Sequence, residues 1–237
     1  MAEPDLAGAR VERVLDAAGE LLVRWGYQRV TIDEVARHAR IGKGTVYLHF
    51  RTKEALFLTV LLRTQRGVTE RIAQRAEEDP AYALPSRLMG ALYRELSTDP
   101  VLRALFLADV EVLGRLAHEA ADTLGELGSR RDAVLAEHFR LLRAAGCLRA
   151  DLPLPAQLYV FSAVAGGFVF LGGVPAQDTQ PQLSTDERAG LLERTVAAAV
   201  EVPEPPADGL ARVAPAVAAL YRSLLEHIDI EWRSLAR

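Results

Sequence analysis

Apolar residues return every three or four positions along almost the whole chain, and that spacing suits helices rather than strands. In the first segment Val11, Val14, Leu15, Ala18, Leu21, Leu22 and Trp25 keep this rhythm until Gly26 ends it, so Trp25 reads as core. Next, "TIDEVARHA" puts Ile32, Val35, Ala36 and Ala39 on one face. Thr31 and Glu34 form a capping box there, each side chain able to satisfy the other's free backbone N–H. A short turn, "RIGKG", leads to a brief third helix with Val46 and Phe50 inward. The fourth helix starts after Thr52 and runs to about Glu78, with Leu58, Leu61, Leu62, Val68 and Ile72 on its inner face. Beyond Asp79-Pro80 the rhythm predicts helices near Pro85–Ser97, Pro100–Leu116, His118–Ala145, Pro155–Gly172, Thr185–Val200 and Asp208–Arg233. Ser184 and Glu187 make a second capping box, and "VPAQDTQPQLS" and "VPEPPADG" are loops by composition. Only Tyr159–Leu171 is β-branched and aromatic enough to suit a strand as well. The expected fold is all-α: a three-helix helix-turn-helix domain over residues 1–56, then a larger helical domain over residues 57–237.

Charge narrows the function. The chain carries 28 basic and 32 acidic residues for a net charge of -4, so it is no nucleic-acid-binding polycation as a whole. Yet Arg24, Arg29, Arg37, Arg40, Lys43, Arg51 and Lys53 face only Asp33 and Glu34 within the same stretch, a local basic patch suited to an anion. The single cysteine, Cys147, excludes an intrachain disulfide or zinc–thiolate site and suits a reducing cytosol. The N-terminus lacks the apolar run of a signal peptide, so a cytoplasmic location is expected. Leu152–Gln177 carries no charge and is about long enough to span a bilayer. Pro153, Pro155 and Pro175 fence it, and no aromatic-plus-basic anchors flank it, so it reads as a buried helix with no membrane partner. Nucleophile elbow, phosphate loop, paired zinc ligands and dinucleotide fingerprint are all missing from the sequence. No enzyme activity, cofactor or metal is expected; Asp109, Glu111 and His118 come nearest to an acid/base cluster, at an unremarkable spacing.

Both lysines of the chain lie in "IGKGTVYLHFRTKEALF". With Val46 and Phe50 turned inward, Lys43, Gly44, Thr45 and Leu48 point away, free to enter a major groove. Gly44 would let the backbone approach base edges. Lys43 can donate to guanine O6 or N7, Thr45 to several bases, and Leu48 can cover a thymine methyl. Tyr47, His49 and Lys53 are placed as donors to phosphate, Lys53 at the start of the fourth helix. Thr31 is a helix cap first, with a hydroxyl that can also meet DNA.

The run "AAGELLVRWGYQRVTIDEVARHARIGKGTVYLHFRTKEALF", about residues 10–57, resembles the DNA-binding domain of the tetracycline-repressor (TetR) family. The A-x-x-L-x-x-x-x-G-Y, T-x-x-x-[IV]-A and G-T-V-Y-x-H-F-x-x-K-E-x-L elements follow one another at that family's spacings. The resemblance implies base contacts from Lys43, Gly44, Thr45 and Leu48, and phosphate contacts from Thr31, Tyr47, His49 and Lys53. It also implies a C-terminal domain that binds a small molecule and pairs two subunits. Two residues depart from the pattern. Arg40 stands where the family usually has Gly, so the turn either carries a strained left-handed residue or differs slightly, and Arg40 adds a candidate phosphate contact. Gly42 stands where Ser or Ala is usual, which removes a hydroxyl cap and alters a candidate contact.

In the larger domain, polar residues that interrupt apolar stripes mark candidate ligand contacts. These are Gln65, Asp109 and His138, with Tyr159 and Phe168 on the uncharged helix. Asp109 and His138 can equally pair with each other in the core. Leu210, Val213, Val217, Leu220, Tyr221, Leu224 and Ile228 form one stripe of the last helix, the preferred dimer interface. The small residues Ser162, Ala163, Gly166 and Gly167 also suit an interface or a cavity floor. The expected function is a homodimeric repressor released from a palindromic double-stranded DNA operator by a small-molecule inducer. The alternatives are an activator, or a helical protein whose C-terminal domain is enzymatic or binds a partner.

Overall fold

A computed structural model describes residues 6–106, 121–173 and 183–235. Those residues form ten α-helices, one 3-10 turn and no strand. The helices are α1 (Leu6–Arg29), α2 (Ile32–His38), α3 (Lys43–His49), α4 (Lys53–Glu78), α5 (Pro85–Thr98), α6 (Pro100–Phe106), α7 (Ala121–Ala144), α8 (Leu154–Gly173), α9 (Thr185–Val200) and α10 (Ala207–Leu235). The run that also suited a strand is helical throughout. The chain divides into two compact units, one from the described parts of 1–66, 100–127 and 227–237, the other from those of 67–99 and 128–226. The division falls inside α4, between Arg66 and Gly67, ten residues beyond the sequence-based boundary.

In the first unit α1 and α2 cradle α3. Val14, Leu15, Ala18 and Leu22 of α1, Val35 of α2, and Val46 and Phe50 of the α3 end are buried, joined by Leu56 and Phe57 of α4. Each of these side chains larger than alanine contributes roughly 1.5–3 kcal/mol by leaving water. Trp25 departs from expectation, with 38% of its surface exposed. Gly26 takes a non-helical φ of 72° and turns the chain, so Tyr27 occupies the inner position instead. The Tyr27 ring meets Phe57 edge-on at 5.4 Å, while Arg24 covers Trp25 from outside.

In the second unit α5 is the central helix, packed along α9 and more lightly on α8. The Glu193 side chain of α9 lies against Gly90 of α5, where an added Cβ would force it to shift. The N-terminus of α5 has no local side-chain cap. Glu201 replaces it from 115 residues away, accepting the Ser86 N–H at 2.7 Å. His138 of α7 is fully buried, and its ring touches Tyr221 of α10 edge-on at 5.7 Å.

Two expectations about helix faces need correction. The α10 stripe is already used inside the chain: Leu210, Val213, Val217, Tyr221, Leu224 and Ile228 are all buried. Helix α8 is the reverse. It is long and apolar enough by length and composition to cross a membrane, yet Leu154–Gly172 is only 22% buried. Tyr159, Phe170 and Leu171 are exposed on it. A helix apolar on every side gives periodicity nothing to grip, so the sequence could not separate its inner from its outer face.

Candidate nucleic-acid interface

The turn before α3 is built by backbone hydrogen bonds that end α2. Ile41 N–H donates to the Ala36 carbonyl at 3.0 Å, and Arg40 N–H to Arg37 at 3.2 Å. This pair is a Schellman motif, which requires a left-handed residue between helix and turn. That residue is Arg40, at φ 56°, the one non-glycine with positive φ among the described residues. The same motif closes α7, where Cys147 N–H reaches Leu142 and Gly146 N–H reaches Arg143. There the left-handed residue is Gly146, at φ 73°. One chain thus uses glycine in one copy of the motif and tolerates a strained arginine in the other. Arg40→Gly is expected to raise unfolding stability by about 1 kcal/mol, roughly 2–4 °C in Tm, by relieving that strain. A denaturant titration of both forms measures it.

Helix α2 starts as its residues dictate. Glu34 N–H donates to Thr31 Oγ1 at 3.3 Å, and Thr31 N–H returns to Glu34 Oε2 at 2.7 Å. The Thr31 hydroxyl also donates to Glu34 Oε2 at 2.8 Å. These bonds from Thr31 hold the Glu34 carboxyl below its ordinary value. The Thr31 hydroxyl proton is therefore committed to the cap. Gly42, at the head of α3, offers no side-chain cap.

On α3, Val46 is buried and Phe50 follows it inward, leaving the opposite face open. Leu48 is 82% exposed and Tyr47 45% exposed, far more than core packing would leave. Gly42, Lys43 and Gly44 are exposed too, with Thr45 and His49 half-buried at the flanks. Nothing lies within 4 Å of where a Gly44 Cβ would sit. Around this face Arg37, Arg40 and Arg51 stand exposed. The structure thus brings Gly42, Lys43, Gly44, Tyr47 and Leu48 onto one open surface.

Two cations there have partners that spacing does not reveal. Lys43 Nζ donates to Asp33 Oδ2 of α2 at 2.8 Å. That bond with Asp33 raises the Lys43 ammonium above its ordinary value. Lys53 Nζ lies 4.2 Å over the Tyr27 ring and 3.5 Å from the Gln28 carbonyl, a cation–π seat that fixes it at the start of α4.

The described members of the sequence-derived ligand set fall in both units. Gln65, half-buried on α4, falls in the first unit. Tyr159 is 76% exposed, and Phe168 is half-buried on α8. Asp109, Glu111 and His118 lie outside the described residues. His138 is engaged through both ring nitrogens: Nε2 donates to the Ala83 carbonyl at 2.7 Å, since a carbonyl can only accept. Nδ1 then accepts from the Tyr221 hydroxyl at 3.1 Å. Burial pushes the His138 pKa down to about 4, against the smaller opposing effect of the Ala83 bond. Two open clefts of the second unit, ≈ 540 Å³ beside Arg87 and Arg94 and ≈ 480 Å³ beside Arg222, are lined by none of the described candidates.

Known proteins resemble the same region. The family model described as "Bacterial regulatory proteins, tetR family" matches residues 14–60. Over 79 residues the chain is 37% identical to the uncharacterized HTH-type transcriptional regulator YhgD of Bacillus subtilis (strain 168), covering 32% of this chain and 38% of that one. It is 26% identical over 164 residues to the HTH-type transcriptional repressor BepR of Brucella suis biovar 1 (strain 1330), covering 67% and 78%. SmeT, the repressor of the Stenotrophomonas maltophilia multidrug efflux pump SmeDEF, shares the fold at a TM-score of 0.59 and 20% identity, covering 83% of this chain and 92% of that one.

Proposed function

The chain belongs to the TetR family of bacterial regulatory proteins, and from that premise we propose that it is a homodimeric, ligand-responsive transcriptional repressor acting in the cytoplasm. The observation that carries the reading is the open face of α3. A leucine 82% exposed beside Lys43, Gly44 and Tyr47 is barely packed by the described residues and suits a major groove. Lys43, Gly44, Thr45 and Leu48 are the proposed base contacts. Arg40, Gly42, Tyr47, His49 and Lys53 are proposed to position the backbone, with Thr31 joining them only by sharing its cap hydrogen bond.

A second copy of the chain is proposed to cover α8. Tyr159, Ser162, Ala163, Gly167 and Phe170 recur at helical spacing and are all exposed, and their small members permit close helix approach. Two recognition helices about one DNA turn apart would then read a palindromic operator. A small molecule that prefers a conformation with mis-spaced recognition helices would release it. Gln65, Asp109, Tyr159 and Phe168 remain proposed ligand contacts; His138 is the least available, with both ring nitrogens engaged.

Salt dependence tests the DNA reading. With Arg40 and Lys53, and up to two neighbouring arginines, on phosphates in each of two subunits, log affinity should fall against log salt with a slope of about −4 to −7. Fluorescence anisotropy across a salt series reads it, and a flat response contradicts the proposal.

A further inference from the structure

The Asp33–Lys43 pair joins the first turn of α2 to the first residue of α3 across a 2.8 Å hydrogen bond. Asp33 is not needed to start α2, because Thr31 and Glu34 already close the capping box. Both side chains are about half exposed, 51% for Lys43 and 58% for Asp33, so the pair sits at the surface that would meet DNA. An exposed lysine normally samples many rotamers, and fixing it on a base costs that freedom. Asp33 accepts one of the three ammonium protons, leaving two donors directed by a tether on a neighbouring helix. A carboxylate here also repels phosphate, which disfavours any DNA offering no base acceptor to the lysine.

We propose that Asp33 is a specificity-determining positioning residue: it holds the Lys43 ammonium so that its two remaining donors meet a guanine edge, while its charge discourages unmatched DNA. The inference rests on the reading of α3 as the DNA-contacting helix.

The test is a double-mutant cycle on the full chain, with Asp33→Asn, Lys43→Ala and the double variant. Each is titrated on the DNA site selected by the unaltered protein and on a scrambled duplex. Asp33→Asn is expected to lower affinity for the selected site about threefold, to raise it about twofold on the scrambled one, and to relax preference at one base pair per half-site. In the Lys43→Ala background the loss on the selected site should vanish. Independent, multiplying effects would overturn the proposal, as would an equal gain on both duplexes, which would make Asp33 a repulsive charge alone. Unchanged melting temperatures keep folding out of the comparison, and Asp33→Glu should restore part of the lost preference. If the unaltered protein selects no sequence, the DNA reading itself fails. If it selects one and the cycle shows no coupling, only the role of Asp33 fails.

Discussion

Gly44→Glu should fold as well as the natural chain and lose sequence-specific DNA binding by about 100-fold or more. The folding half follows from space and propensity. A Cβ at residue 44 would point into open space, and a helix gains about 0.5–1 kcal/mol when glycine is replaced by a residue such as glutamate. The binding half follows from position. Residue 44 lies beside Lys43 on the exposed face, one turn before Leu48, where the backbone would have to come closest to base edges. A carboxylate there occupies that space and faces phosphates of its own sign. Thermal melting and DNA titration of the same sample separate the two halves. A variant that melts normally and binds normally would remove α3 from the interface.

Acid should destabilise the second unit through His138. The unfolded histidine takes a proton near pH 6.5, whereas the buried ring resists it until about pH 4. Between those values the unfolded state binds more protons, so stability is complete above pH 6.5 and falls as pH drops toward 4. The loss approaches about 3 kcal/mol at 1.36 kcal/mol per pKa unit. Glu201 acts in the opposite sense, since burial raises its carboxyl above the ordinary value despite the Ser86 bond. The decisive readout is therefore the difference between the natural chain and His138→Gln. Glutamine can still donate to Ala83 and accept from Tyr221 but cannot titrate. Denaturant titrations at pH 7 and pH 5 should show a pH penalty of about 2 kcal/mol that the variant lacks. Equal pH dependence in both would mean the ring is not held neutral.

What the sequence made legible follows the range of each interaction. The Thr31–Glu34 box, the inward Val46 and Phe50, and the boundaries of α9 depend on residues three or four apart, and the structure has them as expected. The conflict at Arg40 was also local, because the turn demanded a left-handed residue and the chain supplied an arginine. Contacts between distant segments were not readable. His138 lies 83 residues from Tyr221 and 55 from Ala83, so periodicity showed an interrupted stripe but not its partners. Trp25 was misplaced because the kink at Gly26 hands the inner position to Tyr27. The α10 stripe was read correctly as apolar and wrongly as available. At the candidate interface, residue types and faces could be read from α3, but Asp33 under Lys43 and Tyr27 under Lys53 come from other helices.

Selection of bound DNA from a random pool tests the central claim most directly. The account predicts enrichment of an inverted repeat with half-site centres about one helical turn, roughly 34–36 Å, apart. Gly44→Glu should enrich nothing. Failure of the natural chain to enrich any sequence, or equal enrichment by the variant, would contradict a regulator that reads DNA through α3.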